Sequence, residues 1–217
     1  MIAAILIGRR GSTGLPGKNS MDLEGRPMAW WPMKAAFDTP AVDRIFVSTD
    51  DPNVMDIAAE FGAEVIERPA WLATNEALGE DAYVHAHEVI KDTLLTEIEA
   101  YVLLMANAVT VSPNLIEEGI AILRSDAEID SAVTVSRYNM WSPLRARRIA
   151  DSGLLEPFVP LKAFGDPAAL DCDRDSQGDV WFADMGVSVI RPGNLENLHA
   201  GQLPQKWMGK RIAPIRN

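Results

Sequence analysis

The chain has 217 residues, of which 47% are hydrophobic, and carries a net charge of −11 with a single cysteine. That length suits one large domain, or a domain with a modest inserted lobe, and the apolar share is enough for a sizeable core. The acidity argues against general nucleic-acid binding, no run approaches the roughly 18 apolar residues of a membrane span, and the lone Cys172 excludes an internal disulfide.

In chain order, the apolar run Met1–Ile7 comes first. It lacks the charged flank and cleavage site of a signal peptide, so it reads as a buried strand (Ile2–Ile7), and a reducing cytoplasm is the expected compartment. The strand empties into Gly8–Asn19, G-R-R-G-S-T-G-L-P-G-K-N. Here Gly8, Gly11, Gly14 and Gly17 recur every third residue, interleaved with Arg9, Arg10 and Lys18. Unhindered backbone N–H groups and three cations meet in one small volume, a chemistry that suits a polyphosphate. An ordinary Gly-rich turn with solvated charges is the competing reading. Walker A does not fit, because it needs Gly where Ser12 stands and Ser or Thr where Asn19 stands. Nor does the dinucleotide fingerprint, which opens straight into a helix, whereas Pro16 is expected to hold this loop extended.

Further strands are expected at Arg44–Ser48, Glu64–Ile66, Tyr101–Met105, Ser131–Val135 and Val187–Ile190. Helices are expected between them. Pro27 would lie in the first turn of one that reaches about Phe37, with Pro32 a kink. Asp51–Phe61 has Asp and Pro as start signals and Gly62 as its stop. Glu80–Lys91 and Asn114–Arg124 complete the set. The βαβα order implies a doubly wound, parallel α/β sheet with ligands outside the carboxyl ends of its strands. The Gly8–Asn19 loop, Ser48–Asp51 and Met105–Thr110 all follow strands, so they should converge on one crevice. After about Arg137 the pattern changes, and residues 138–186 read as a smaller β-rich lobe.

Charge is segregated along the chain. Met1–Met21, Ser131–Ala150 and Asn197–Asn217 hold no acidic residue but 3, 4 and 4 basic ones, against 9 basic and 31 acidic elsewhere. Cations gathered locally in an acidic protein suit an enzyme for a small anion better than a binder of long polyanions.

Several segments, taken together, resemble the acylneuraminate cytidylyltransferases (CMP-sialic acid synthetases). That family's loop reads approximately A-R-G-G-S-K-G-I-P-G-K-N. The similarity continues through Leu23-Glu24-Gly25-Arg26-Pro27-Met28-Ala29-Trp30, Val47-Ser48-Thr49-Asp50-Asp51, Gly62-Ala63-Glu64-Val65, Glu67-Arg68-Pro69 and Glu80-Asp81 with His85. It is dense to about His87 and collinear to Arg191. The resemblance implies a Rossmann-like, mostly parallel sheet of the nucleotide-diphospho-sugar transferase type. It also implies an enzyme that joins CTP to an acidic nonulosonic-type sugar, giving the CMP-sugar and pyrophosphate with Mg²⁺ as cofactor. Arg9, Ser12 and Lys18, with the amide of Gly11, would hold the CTP phosphates, Arg9 and Lys18 acting in catalysis. Asn19 and Arg68 would meet the cytosine or its ribose.

The departures matter as much. Thr13 replaces the family's loop lysine, a loss that Arg10 is placed to offset. Met105-Ala106-Asn107-Ala108-Val109 stands where the family has Q-P-T-S-P in its sugar pocket, leaving Asn107 as the polar survivor. Met105 cannot donate and accept as a glutamine amide does, so sugar recognition should differ. The family's terminal D-x-D pair for Mg²⁺ would begin about where this sequence stops, so the metal ligands are unassigned here, and the expectation is that the natural protein has a further tail. Alternatives are a non-catalytic nucleotide-sugar-binding homologue and a Kdo-type cytidylyltransferase, whose loop instead reads S-x-R-L-P-G-K.

Other residues carry two readings. Asp50-Asp51 could bind metal, with Asp51 as an N-cap favoured. Asp171, Asp173 and Asp175 read as a solvated acidic loop rather than a cation site. Asp184 interrupts the apolar stretch Val180–Ile190, which is costly unless it is paired or faces the sugar. His85 and His87 read as helix-surface or core hydrogen-bonding groups, and Trp30-Trp31 as core. Arg137, Arg145, Arg147 and Arg148 would either clamp a sugar carboxylate, with Arg145 and Arg147 the chosen pair, or meet acidic patches of a second subunit in a homodimer.

Overall fold

The computed structural model describes residues 1–11 and 14–217, and these form two compact units, Met1–Thr134 with Met185–Asn217, and Val135–Asp184. In chain order the elements are β1 (Ile2–Gly8), β2 (Asp22–Leu23), β3 (Arg26–Pro27), α1 (Trp30–Phe37), β4 (Arg44–Thr49), α2 (Pro52–Glu60), β5 (Glu64–Glu67) and α3 (Gly79–Thr93). There follow β6 (Ala100–Met105), α4 (Pro113–Ser125), β7 (Ser131–Arg137), β8 (Arg147–Ile149), β9 (Leu155–Pro157), β10 (Trp181–Ile190), α5 (Gly193–Glu196) and β11 (Ile212–Arg216).

A seven-stranded sheet in the order β11-β7-β10-β6-β1-β4-β5 forms the core. β1 pairs in parallel with β4 and β6, and β4 with β5, whereas β10 runs antiparallel to β6. All seven residues of β1 are buried, as its unbroken apolar run requires of a strand covered on both faces. From β1 the chain winds outward to β4 and β5, then crosses back to place β6 on the other side. That reversal opens a crevice at the carboxyl ends of β1 and β6, where open α/β sheets bind ligands.

The helices follow their caps. Asp51 Oδ1 accepts from the Asn53 amide at 3.1 Å, and Pro52 opens α2, so Asp51 is the cap of this helix. His87 is buried, its Nδ1 2.9 Å from the Tyr101 hydroxyl. Burial holds His87 below its ordinary pKa of 6.5, against the opposing pull of Glu196. A depressed histidine makes the unfolded chain bind the proton first as pH falls, so its stabilising effect is present above 6.5 and lost on acidification. His87→Gln should flatten the dependence of the urea midpoint on pH between about 7 and about 5.

Close packing also fixes Gly119 in α4. A Cβ there would lie 2.5 Å from Val189 Cγ2 and 2.9 Å from Ile215 Cδ1, both buried side chains. Gly119→Val should destabilise the fold by about 1–3 kcal/mol through overpacking, read as a lower denaturant midpoint.

The sequence and structure part at several places, three of them in the strands and first helix. Pro27 is in β3, not in a helix: Glu24 and Gly25 both have positive φ, and they turn β2 back on β3 as a tight hairpin. Helix α1 starts at Trp30, so Pro32 lies within its first turn, where its missing N–H costs no bond and needs no kink. Its Trp30 and Trp31 are half-buried, Trp30 packing against the core. β11 was not foreseen, and its Pro214 is tolerated because the strand is at the sheet edge.

The Val135–Asp184 unit contains the β8–β9 hairpin and several short 3₁₀ turns. Its internal ties include polar ones: Asn139 Nδ2 donates to Asp175 at 2.7 Å, and the Val180 amide donates to Asn139 Oδ1 at 2.9 Å. No helix among the described residues is long and apolar enough to cross a membrane.

Candidate active site

Three strand ends meet at the crevice. The Ala106 amide donates to Ile7 O at 3.0 Å, and Thr49 Oγ1 donates to Gly8 O at 2.6 Å, tying the ends of β6 and β4 to that of β1. The Arg10 amide donates to Asp50 Oδ1 at 2.9 Å, which fastens the glycine loop to the turn after β4. The loop is not extended at Pro16, as its sequence had suggested. It turns there, with Gly17 at φ 68° and the Lys18 amide on Leu15 O, and enters a 3₁₀ turn over Lys18–Ser20. Only glycine adopts that left-handed conformation without steric cost.

This turn delivers Lys18 and Asn19 to a cavity of about 190 Å³ that Arg9, Arg68, Met105 and Asn107 also line. Arg9 reaches across the loop to Gly11 O and to Ala73 O. Arg68 is buried; its Nε donates to Ser48 Oγ at 3.3 Å and its Nη2 to Ser48 O at 2.8 Å. Burial pulls this guanidinium below its ordinary pKa, opposed by the charge of Asp50. Asn19 is buried too, donating from Nδ2 to Arg9 O at 3.1 Å, while its Oδ1 has no partner among the described residues.

The chemistry of the cavity follows from its walls. Three cations line it and no carboxylate does; Asp50 acts on Arg68 from outside the lining, so a polyanion entering the cavity meets a predominantly positive wall. The orphaned Asn19 Oδ1 is an acceptor awaiting a donor. Asn107 is exposed at the end of β6 beside the apolar Met105, at the far side from the glycine loop in sequence.

Arg9, Lys18, Asn19, Arg68 and Asn107 are therefore brought together in the first unit. Gly11 is exposed on the loop beside Arg9, and Ser12 lies outside the described residues. Arg145, Arg147 and Asp184 belong to the second unit. There Arg145 donates to Cys172 O, Arg147 to Leu144 O and Ala146 O, and Ser136 Oγ donates to Asp184 Oδ2 at 2.7 Å. Arg137 pairs with Asp179 and Arg148 with Glu156. Asp171, Asp173 and Asp175 are exposed and accept from neighbouring backbone and side-chain groups. Sequence reasoning did not single out Leu78 and Gly79, which also line the cavity; the apolar-to-helix boundary there gave no chemical signal.

Among the described residues no three His, Cys, Asp or Glu side chains are grouped to hold a metal, and Asp51 is occupied as a cap.

Comparison with known proteins identifies the family and the fold. A family model described as cytidylyltransferase matches residues 3–145. The 3-deoxy-manno-octulosonate cytidylyltransferase of Synechococcus elongatus is 37% identical over 84 residues, 39% of this chain and 34% of that protein. The N-acylneuraminate cytidylyltransferase of Escherichia coli O18:K1:H7 is 28% identical over 138 residues, 64% of this chain and 32% of that one. The matched part thus spans about a third of the length of these relatives. A solved structure of CMP:2-keto-3-deoxy-manno-octonic acid synthetase complexed with CTP superposes with a TM-score of 0.67 at 18% identity, covering 100% of this chain and 90% of that one. With the family model matched over more than half its length, the chain belongs to the cytidylyltransferase family.

Proposed function

We propose that this chain is a cytoplasmic cytidylyltransferase that joins CTP to an acidic sugar of the nonulosonic (sialic-acid-like) type, releasing pyrophosphate. The observation that carries the reading is the cavity at the mouth of β1, with Arg9, Lys18 and Arg68 in its wall and no carboxylate among its lining residues. The sugar's anomeric hydroxyl oxygen bonds to the α-phosphorus in line as the bond to the β-phosphate oxygen breaks. Negative charge builds on the leaving pyrophosphate, so positioning and electrostatic stabilisation are what the protein must supply. Arg9 and Lys18 meet the phosphates, Arg10 standing in for the missing loop lysine. Arg68 and Asn19 hold the nucleoside end, where Asn19 Oδ1 accepts from a base amino or ribose hydroxyl group.

Gly14 favours the nonulosonic reading, because the Kdo-type loop has arginine before its L-P-G-K. A Kdo substrate remains the second reading, supported by the Synechococcus relative. In the second unit, Arg145, Arg147 and Asp184 are the proposed sugar contacts. Its exposed Ile149, Leu154, Leu155 and Phe158 support a homodimer, which sedimentation would test. Assay with CTP, Mg²⁺ and a panel of nonulosonic acids and Kdo should release pyrophosphate with one class. Tight CTP binding with no turnover on any sugar would instead mark a binding homologue.

A further inference from the structure

A second cavity, of about 480 Å³, lies along α3 in the first unit and shares only Leu78 with the nucleotide cavity. Its lining includes the apolar Leu78, Val84, Leu195 and Leu198, and Trp71 stands at it with 65% of its surface exposed. The lining also carries Glu80, Asp81, Glu88 and Glu196 against the single cation Lys206. Some of this charge is answered locally: Lys206 Nζ sits 3.0 Å from Glu80 Oε1, and Lys91 pairs with Glu196 at 2.6 Å from outside the cavity. Glu88 is exposed and has no ion-pair partner among the described residues.

A second, independent feature points to a ligand. Glu80 is only 4% exposed, and its Oε2 has no hydrogen-bond partner; His85 Nδ1, in the same lining, is also buried and unpartnered. A buried carboxylate oxygen left unpaired is costly, and a donor arriving from the cavity would remove that cost. Lys206 shows which donor the other oxygen of this carboxylate takes: an alkylammonium.

Spacing narrows the chemistry further. Glu80 and Glu88 are eight residues apart on one helix, about 12 Å at 1.5 Å per residue, and Val84 and His85 lie between them on the same face. A ligand that answers both ends needs two ammonium groups about that far apart on an apolar chain, with a cation or methylene stem for the ring of Trp71. The geometry points to a binding site for a linear polyamine along α3, its terminal ammonium groups on Glu80 and Glu88. An anion is excluded by the charge of the lining, and a bare metal ion by the lack of any three ligating groups close enough among the described residues. The site is independent of the catalytic reading, since it uses none of the nucleotide-cavity cations.

Titration calorimetry with spermidine at low salt tests it. The expected result is one site per chain, weakened about tenfold by Glu80→Gln and about threefold each by Glu88→Gln and Trp71→Ala, with 1-aminobutane binding more weakly than spermidine. Glu88 and Trp71 are exposed, so their variants keep the fold even if Glu80→Gln, which also breaks the Lys206 pair, does not. Absence of binding overturns the proposal. So does weak uptake of several equivalents that Glu88→Gln and Trp71→Ala leave unchanged, because that is diffuse attraction to a chain of net charge −11.

Discussion

Replacing Lys18 with alanine is expected to lower pyrophosphate release with CTP and the cognate sugar by at least about tenfold, a loss of about 1.4 kcal/mol of transition-state stabilisation. Lys18 is half-buried at the start of its 3₁₀ turn and lines a cavity in which every charged side chain is cationic. Charge leaving with pyrophosphate is therefore answered by few groups, and each weighs more than a solvated cation would. The loss should fall mainly on kcat, because the charge that Lys18 answers grows along the reaction. Lys18→Arg should recover part of it. Near wild-type pyrophosphate release by a folded Lys18→Ala protein would remove Lys18 from the reaction.

Arg68→Met should weaken CTP binding by about tenfold to a hundredfold, the range for loss of a hydrogen-bonded charge. The guanidinium is buried and spans two acceptors of one residue, Ser48 Oγ and Ser48 O, which a lysine ammonium cannot reproduce in the same fork geometry. Arg68→Lys should therefore fail to rescue. The thermal midpoint should also fall, since Ser48 O is left without that donor. A calorimetric Kd for CTP equal to that of the parent, with the fold intact, would show that Arg68 serves only to join β4 to the chain after β5.

What the sequence could reveal follows from how local each feature is. β1 and β6 are continuous apolar runs, and β4 centres on Ile45-Phe46-Val47, because both faces of a parallel sheet are covered, so they are legible within a short window. Asp51-Pro52 spelled out its own helix start. The hairpin at Glu24-Gly25 was hidden because Pro27 fits a helix N-terminus as well as it fits a two-residue strand. β11 was hidden because an edge strand needs no long apolar run and can carry Pro214.

The site divides in the same way. Arg9 and Lys18 beside a strand end were legible as cavity cations, since the loop is contiguous, whereas Arg10 of the same loop is not among the residues lining the cavity. The place of Arg68 rested on family resemblance alone, because burial of a lone arginine depends on Ser48 in another strand. The carboxylate of Glu80 could not be recognised as buried, because Lys206, which meets it, lies in a segment far along the chain.

The second unit leaves the sheet through β7 and returns through β10, two strands that are neighbours in it. A segment whose entry and exit are hydrogen-bonded side by side can be lengthened, shortened or exchanged without altering the spacing of the strands that carry the glycine loop. Selection can then act on Val135–Asp184 while the strands of the first unit stay as they are. In evolutionary terms the fold holds one part constant and leaves an inserted module open to replacement.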